Sequence, residues 1–333
     1  MHPDPHNGRS ADRGPVGDPH NGRSADPLRG PVGDKRLHGL ERPKITVKIE
    51  PPRKVPDGMP RLPMLCLIWG SSGQGKTTAL LEMLTIYNRE ASIDNVYLFS
   101  PTYRMDPKQK LIGELPGKQY EFDAIEHYTD EALAGIITCI KGRVERHRYW
   151  VRYNEAYKKF VACRSENELT KRLSSDDFLL LQERDFEPLE PVCKHGQFPQ
   201  SMLIFDDLAG NSKLFTSNGK GVLGQFLILA RHWGTSIIVL SQTRTCLNKQ
   251  LRSNLNTLVL FRCKSKSIQS CIADEFCSYC SEDEFVEMWD TATTEPNDFF
   301  LVDLRDRDKM FRKNWNLILS AQRPHSGSAQ RPN

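Results

Sequence analysis

The sequence predicts an α/β fold: a mostly parallel sheet flanked by helices, with a helical insertion in its middle. Three observations carry this prediction. Apolar runs of strand length alternate with segments of helical periodicity, the pattern of strands joined by helical crossovers. The first clear run, residues 64–69, leads straight into a Gly-rich loop, and apolar residues at helical spacing follow it. A long charged segment, about residues 123–190, reads mostly as helix and separates the second strand from the third.

Taken in order, the chain opens on a repeat. Pro5-His6-Asn7-Gly8-Arg9-Ser10-Ala11-Asp12 returns as Pro19-His20-Asn21-Gly22-Arg23-Ser24-Ala25-Asp26, and each copy is soon followed by Arg-Gly-Pro-Val-Gly-Asp. Polar, Gly/Pro-rich sequence of this kind buries too little apolar surface to offset the entropy of ordering it. Residues 1–43 are therefore expected to be a disordered tail. Residues 320–333 are expected to be another, because Ser-Ala-Gln-Arg-Pro occurs there twice. The folded unit is expected at 44–319. Its strands are read at 64–69, 96–99, 202–205, 236–240 and 258–261, with 299–302 as a late edge strand.

Composition narrows the class further. With 38% hydrophobic and 26% charged residues the chain reads as a soluble globular protein. It has no apolar run of about 18 residues and no apolar leader, which points away from a membrane partner and toward an intracellular, unsecreted protein. Nine scattered cysteines lack disulfide-scaffold spacing and read as reduced thiols. The net charge of +4 comes from the tails, and the middle of the chain is close to neutral. Overall charge is thus no argument for nucleic acid.

The loop after the first strand carries the chemistry. Gly70-Ser71-Ser72-Gly73-Gln74-Gly75-Lys76-Thr77 is a full G-x-x-x-x-G-K-[ST] phosphate loop, the Walker A pattern. Leu80, Leu81, Leu84 and Tyr87 follow at helical spacing, so the loop opens onto a helix whose first N–H groups point at phosphate oxygens. ATP is the expected nucleotide, held by this loop together with Thr78. In this arrangement Lys76 reaches the outer phosphates and the Thr77 hydroxyl ligates Mg²⁺.

The run at 202–205 ends in Asp206-Asp207, an acidic strand end of the Walker B type. Asp206 is the candidate for the Mg²⁺ shell and Asp207 for polarising the attacking water. Many P-loop motors carry Glu at the second position, and Asp is one methylene shorter. The run at 236–240 ends in Ser241-Gln242, which places an amide where open α/β sheets bind ligands and where it can bond a γ-phosphate or the lytic water. Arg231 precedes that strand and Arg252 follows it. A permanently charged, planar guanidinium suits either one to bridge a neighbouring subunit's phosphate, and either one equally to be an ordinary surface arginine.

Together the phosphate loop, the Asp-Asp strand end, Arg231-His232 before the Ser241-Gln242 strand, and Arg252-Ser253-Asn254 before an apolar run resemble the poxvirus-type genome-packaging ATPases of the FtsK/HerA superfamily. That family is found in large DNA viruses and virus-like transposons. The resemblance spans roughly residues 62–312. It implies a P-loop NTPase of RecA/ASCE-like fold acting as a homo-oligomeric ring, with nucleotide at subunit boundaries. It also implies that the ring pumps double-stranded DNA into a capsid, with a capsid or portal protein as a further partner. The insertion and the repeated tails depart from the family pattern. A helicase, a phage-assembly ATPase and a non-hydrolysing nucleotide-gated scaffold remain alternative readings.

Two other features invite a function. Residues 141–172 hold ten Lys/Arg against four Glu, interleaved with aromatics, a candidate phosphate-contacting surface. Yet Tyr149, Tyr153, Tyr157 and Phe160 form one helical stripe of the kind that packs on a core. The acidic stretch at 176–190 also offers an intramolecular partner. Cys277-Ser278-Tyr279-Cys280 has half-site spacing for zinc, but Cys193 and His195 make an unusual second half, so buried structural thiols are expected.

Overall fold

The computed structural model describes residues 53–208, 221–243, 247, 249–276 and 280–319. Both tails expected to be disordered, and residues 277–279 of the Cys-x-x-Cys pair, lie outside these residues.

A nine-stranded sheet runs in the order β3-β2-β4-β5-β1-β6-β7-β8-β9. Its members are β1 (Leu65–Trp69), β2 (Asn95–Phe99), β3 (Glu121–Ile125), β4 (Ser201–Asp206), β5 (Thr235–Ser241), β6 (Thr257–Phe261), β7 (Phe299–Asp303), β8 (Phe311–Lys313) and β9 (Leu317–Ile318). Strands β3 through β6 in this order pair parallel. From β6 through β9 the pairing is antiparallel.

Burial on both faces explains why the central strands read as continuous apolar runs. All five residues of β1 are buried. Because side chains alternate across a strand, Leu65, Leu67 and Trp69 enter one core and Cys66 and Ile68 the other. The second core is covered by α1 (Lys76–Arg89), through Leu80, Met83, Leu84 and Tyr87, and by α2 (Pro107–Gly113), through Ile112. The first core is covered by α3 (Asp130–Val161), α6 (Val222–Leu229), α7 (Lys266–Phe276) and α8 (Glu282–Ala292). The same parity places Asp206 on the side of Met202 and Ile204, toward α1 and α2. This positioning matters most for the site.

The insertion is led by α3, which is roughly 48 Å long at the usual rise. Thr129 caps it by accepting from the Ala132 amide at 3.0 Å. Asp130 and Glu131 in its first turn and Lys158 and Lys159 in its last complement the helix dipole. Leu133, Ile136, Ile137 and Ile140 seat its first half on the sheet. Further along, Arg148 donates to the His232 carbonyl at 3.2 Å and lies over the Trp233 ring, just ahead of the start of β5. The rest of α3 pairs with α5 (Ser175–Gln182) and α4 (Glu166–Arg172) around a small core of Tyr153, Ala156 and Leu181.

Two expectations need correction. Residues 123–125 finish strand β3, whose exposed, charged residues hide it from a search for apolar runs. The strand expected at the edge, β7, is fully buried, because β8 and β9 add on beyond it. No described helix is long and apolar enough to cross a membrane.

Candidate active site

The phosphate loop leaves β1 and is held at both ends. The Gly70 amide donates to the Ser241 carbonyl at 3.1 Å, which ties the loop to the end of β5. Gln74 Oε1 accepts from the Ser71 amide at 2.6 Å, and Gln74 Nε2 donates to the Arg262 carbonyl at 2.8 Å. Two glycines are required by geometry. Gly75 sits at φ 101° in the left-handed region, and a Cβ there would lie 2.8 Å from Asn297 Oδ1. A Cβ on Gly70 would come within 2.7 Å of Phe261 Cβ. No side chain caps α1, and its first turn holds no acidic residue. The leading amides are therefore left for an external acceptor.

Lys76 Nζ folds back onto the loop, donating to the carbonyls of Gly70 at 2.8 Å and Ser71 at 3.0 Å. Partial burial pulls this ammonium below its ordinary value, against the opposing charges of Asp206 and Asp207. Asp206, the last residue of β4, pairs in register with Leu240 and is only 7% exposed. Burial first, and then the charge of Asp207, push its carboxyl up to about 6. Asp207 is exposed and holds φ 51°.

Strand β5 lies between β1 and β4, so three strand ends meet at one place. They form a cleft of about 350 Å³ lined by Gly75, Lys76, Thr77, Asp206, Asp207 and Gln242, among others. Ser72, Gly73 and Thr78 line it too, while Gly70, Ser71 and Gln74 brace the loop behind it. A hard-cation donor set is present in the Thr77 hydroxyl and the Asp206 carboxylate, beside a loop that presents amides to phosphate. These residues fit a magnesium-bound nucleoside triphosphate.

The two arginines are not brought to this cleft. Arg231 lies in a short 3-10 turn before β5. It lines a separate cleft of about 210 Å³ with Met64, Leu65 and Asn254, at the amino ends of β1 and β5. Arg252 is engaged within the chain, donating to Glu275 at 2.9 Å and to the Leu247 carbonyl at 2.7 Å. Neither lines the cleft of its own chain.

Sequence reasoning missed an entire wall of the cleft. Thr102 lines it from the turn after β2, and Asp106, Lys108 and Gln109 from the start of α2. Asp106 caps that helix by accepting from the Lys108 amide at 2.8 Å, and Lys108 Nζ donates to Thr78 Oγ1 at 2.8 Å. The signal was present: Ser100-Pro101-Thr102 follows directly on a strand's carboxyl end, and Asp106-Pro107 is a helix start.

The basic segment does not present an aromatic platform. Tyr153 is fully buried and donates to the Glu187 carbonyl at 2.6 Å, and Tyr149, Tyr157 and Phe160 pack around it. Lys159 pairs with Asp177 at 2.8 Å and Arg143 with Glu121 at 2.6 Å. Among the described residues no group of three or more His, Cys, Asp or Glu could hold a metal ion. Burial pushes the Cys193 thiol up to about 12, as suits an inert thiol.

A mostly parallel sheet whose loop-bearing strand is separated from its acidic strand by one polar-ended strand is the P-loop NTPase fold of the RecA/ASCE-like class. Among solved structures the chain is similar to the genome packaging NTPase B204 of Sulfolobus turreted icosahedral virus 2 in complex with AMP. Identity is 11%, coverage 77% of this chain and 98% of that one, and the TM-score 0.41. It is also similar to B204, the DNA-packaging ATPase of Sulfolobus turreted icosahedral virus, with 13% identity, 78% and 99% coverage, and a TM-score of 0.45. EssC (ATPases 2 and 3) from Geobacillus thermodenitrificans shares 15% identity over 75% of this chain and 39% of that one, with a TM-score of 0.39. No family model and no curated protein matches the chain.

Proposed function

We propose that the chain is an ATP-hydrolysing motor that moves double-stranded DNA, as a ring of like subunits, into a capsid of viral or transposon origin. The observation that carries the ATPase reading is the convergence of Lys76, Thr77, Asp206, Asp207 and Gln242 on one cleft at the carboxyl ends of three adjacent strands.

In this reading the loop amides and Lys76 bind the phosphates, with the Lys76 ammonium leaving the Gly70 and Ser71 carbonyls for them. Thr77 and Asp206 would hold magnesium, which would supply charge neutralisation at the phosphate oxygens. Asp207 orients a water and takes its proton as the water oxygen bonds to the γ-phosphorus. The bond to the bridging oxygen then breaks, releasing ADP and phosphate. Gln242 bonds the γ-phosphate or that water. Arg231, at the amino ends of β1 and β5, is the better candidate for a neighbour's cleft, because Arg252 is already engaged by Glu275. The DNA part of the reading rests on the motif resemblance, and a portal or capsid protein is the partner it implies.

The test is ATP hydrolysis with magnesium, with and without duplex DNA. Wild-type protein is expected to turn over and duplex DNA to accelerate it, while Lys76→Ala abolishes both. Normal hydrolysis by Lys76→Ala overturns the reading. Strand separation by the motor would favour a helicase instead. A nucleotide-gated scaffold is the second reading, supported by Asp207, exposed and one methylene shorter than Glu. Tight ATP binding without turnover at any DNA concentration selects it.

A further inference from the structure

We propose that Gln109 is a positioning residue for the magnesium-binding carboxylate, an inference that rests on the reading of Asp206 given above. Gln109 is 1% exposed in the first turns of α2. Its Nε2 donates to Asp206 Oδ2 at 2.6 Å and, more weakly, to Thr102 Oγ1 at 3.3 Å. The amide orientation follows from that short contact, because the reverse would press two acceptor oxygens together.

Two consequences follow. One oxygen of Asp206 is fixed by an uncharged donor, while Oδ1 takes no hydrogen bond among the described residues. A carboxylate held in this way by one oxygen turns the other toward the cleft in a single orientation. Secondly, Gln109 Oε1 is buried and meets no donor among the described residues. Buried acceptors are rarely left without a donor, and an exception calls for a missing partner. A metal ion held by Asp206 would carry water, and that water would be the donor Oε1 lacks. The Gln109 amide grips the ligand with one atom and would meet the ion's water with the other. Helix α2 is thereby linked to the metal site. No other residue of this wall does the same, since Lys108 reaches Thr78 and Asp106 caps its own helix.

The experiment measures equilibrium binding of a fluorescent ATP analogue to the full chain, in EDTA and across a Mg²⁺ titration. Wild type is compared with Gln109→Met and Gln109→Glu. In EDTA all three are expected to bind alike. Gln109→Met is expected to weaken the apparent Mg²⁺ affinity by about 10- to 100-fold, the range for partners of metal ligands. Gln109→Glu, sharing one proton with Asp206 as close carboxyl pairs do, keeps both a donor and an acceptor at the same reach, so it is expected to retain more Mg²⁺ affinity than Gln109→Met. A packing role predicts the reverse order, because Met fills the site and a second buried carboxylate does not. A wild-type Mg²⁺ titration in Gln109→Met, or equal losses in both variants, overturns the proposal. If Gln109→Met does not fold, Gln109→Asn, one methylene too short to reach Asp206, replaces it with the same expectation. Wild-type protein that takes up no nucleotide even with Mg²⁺ overturns the proposed function itself, an outcome distinct from failure at Gln109.

Discussion

Gln74 holds the phosphate loop to the strand beside it: its amide donates to the Arg262 carbonyl at 2.8 Å while its Oε1 accepts from the Ser71 amide at 2.6 Å. Arg262 directly follows β6, the parallel neighbour of β1. One side chain thus presets the loop before any phosphate arrives.

Replacing Gln74 by Ala removes both bonds without touching the residues that line the cleft. At roughly 0.5–1.5 kcal/mol for each bond, nucleotide affinity is expected to fall about tenfold. The melting temperature of the nucleotide-free protein should fall by only a few degrees. A calorimetric titration of Gln74→Ala showing wild-type affinity would rule out the preset loop.

Asp206 makes the nucleotide-free protein less stable than it need be. Its carboxyl titrates at about 6 in the fold against the ordinary 3.8, so the folded state binds this proton more tightly than the unfolded chain does. At pH 7.5 the ionised group costs on the order of 3 kcal/mol, a cost that shrinks as pH falls through 6 and vanishes below the ordinary value. Asp206→Asn is therefore expected to raise the unfolding free energy of the nucleotide-free protein at pH 7.5, with the advantage narrowing by pH 5. The same variant should lose the tightening of ATP binding by magnesium. Denaturant titrations at the two pH values check the sign.

The aromatic stripe of α3 is expected to hold the helical insertion together. Tyr153→Phe, which loses only the bond to the Glu187 carbonyl, should cost about 1 kcal/mol. Tyr153→Ala, at a fully buried position, should cost about 3–5 kcal/mol locally and open the α3–α5 pairing to limited proteolysis. Nucleotide binding should survive both changes. Unchanged protease resistance in Tyr153→Ala would return the stripe to the surface and to nucleic acid.

Much of the site is legible in the sequence because its parts lie within short spans of chain. The phosphate loop is contiguous with its strand and helix, and Asp206 and Gln242 each end an apolar run that only a buried parallel strand explains. Strand β3 escaped because an edge strand with exposed Glu121 and Asp123 carries no apolar run to find. The position of β7 was misjudged because β8 and β9 are too short to stand out as strands.

By itself the sequence determined the phosphate loop, the succession of the buried strands along the chain and the carboxyl-end location of their polar residues. These follow from spacing and from alternation along single segments. Only the tertiary structure decided that Gln109 grips Asp206 across 97 positions of chain, that Gln74 reaches Arg262, and that Arg231 and Arg252 stand away from the cleft. Each of these depends on which strands become neighbours. Neighbour choice is set by how two cores fill on either side of the sheet, an energy shared among residues far apart in sequence and written in no local pattern.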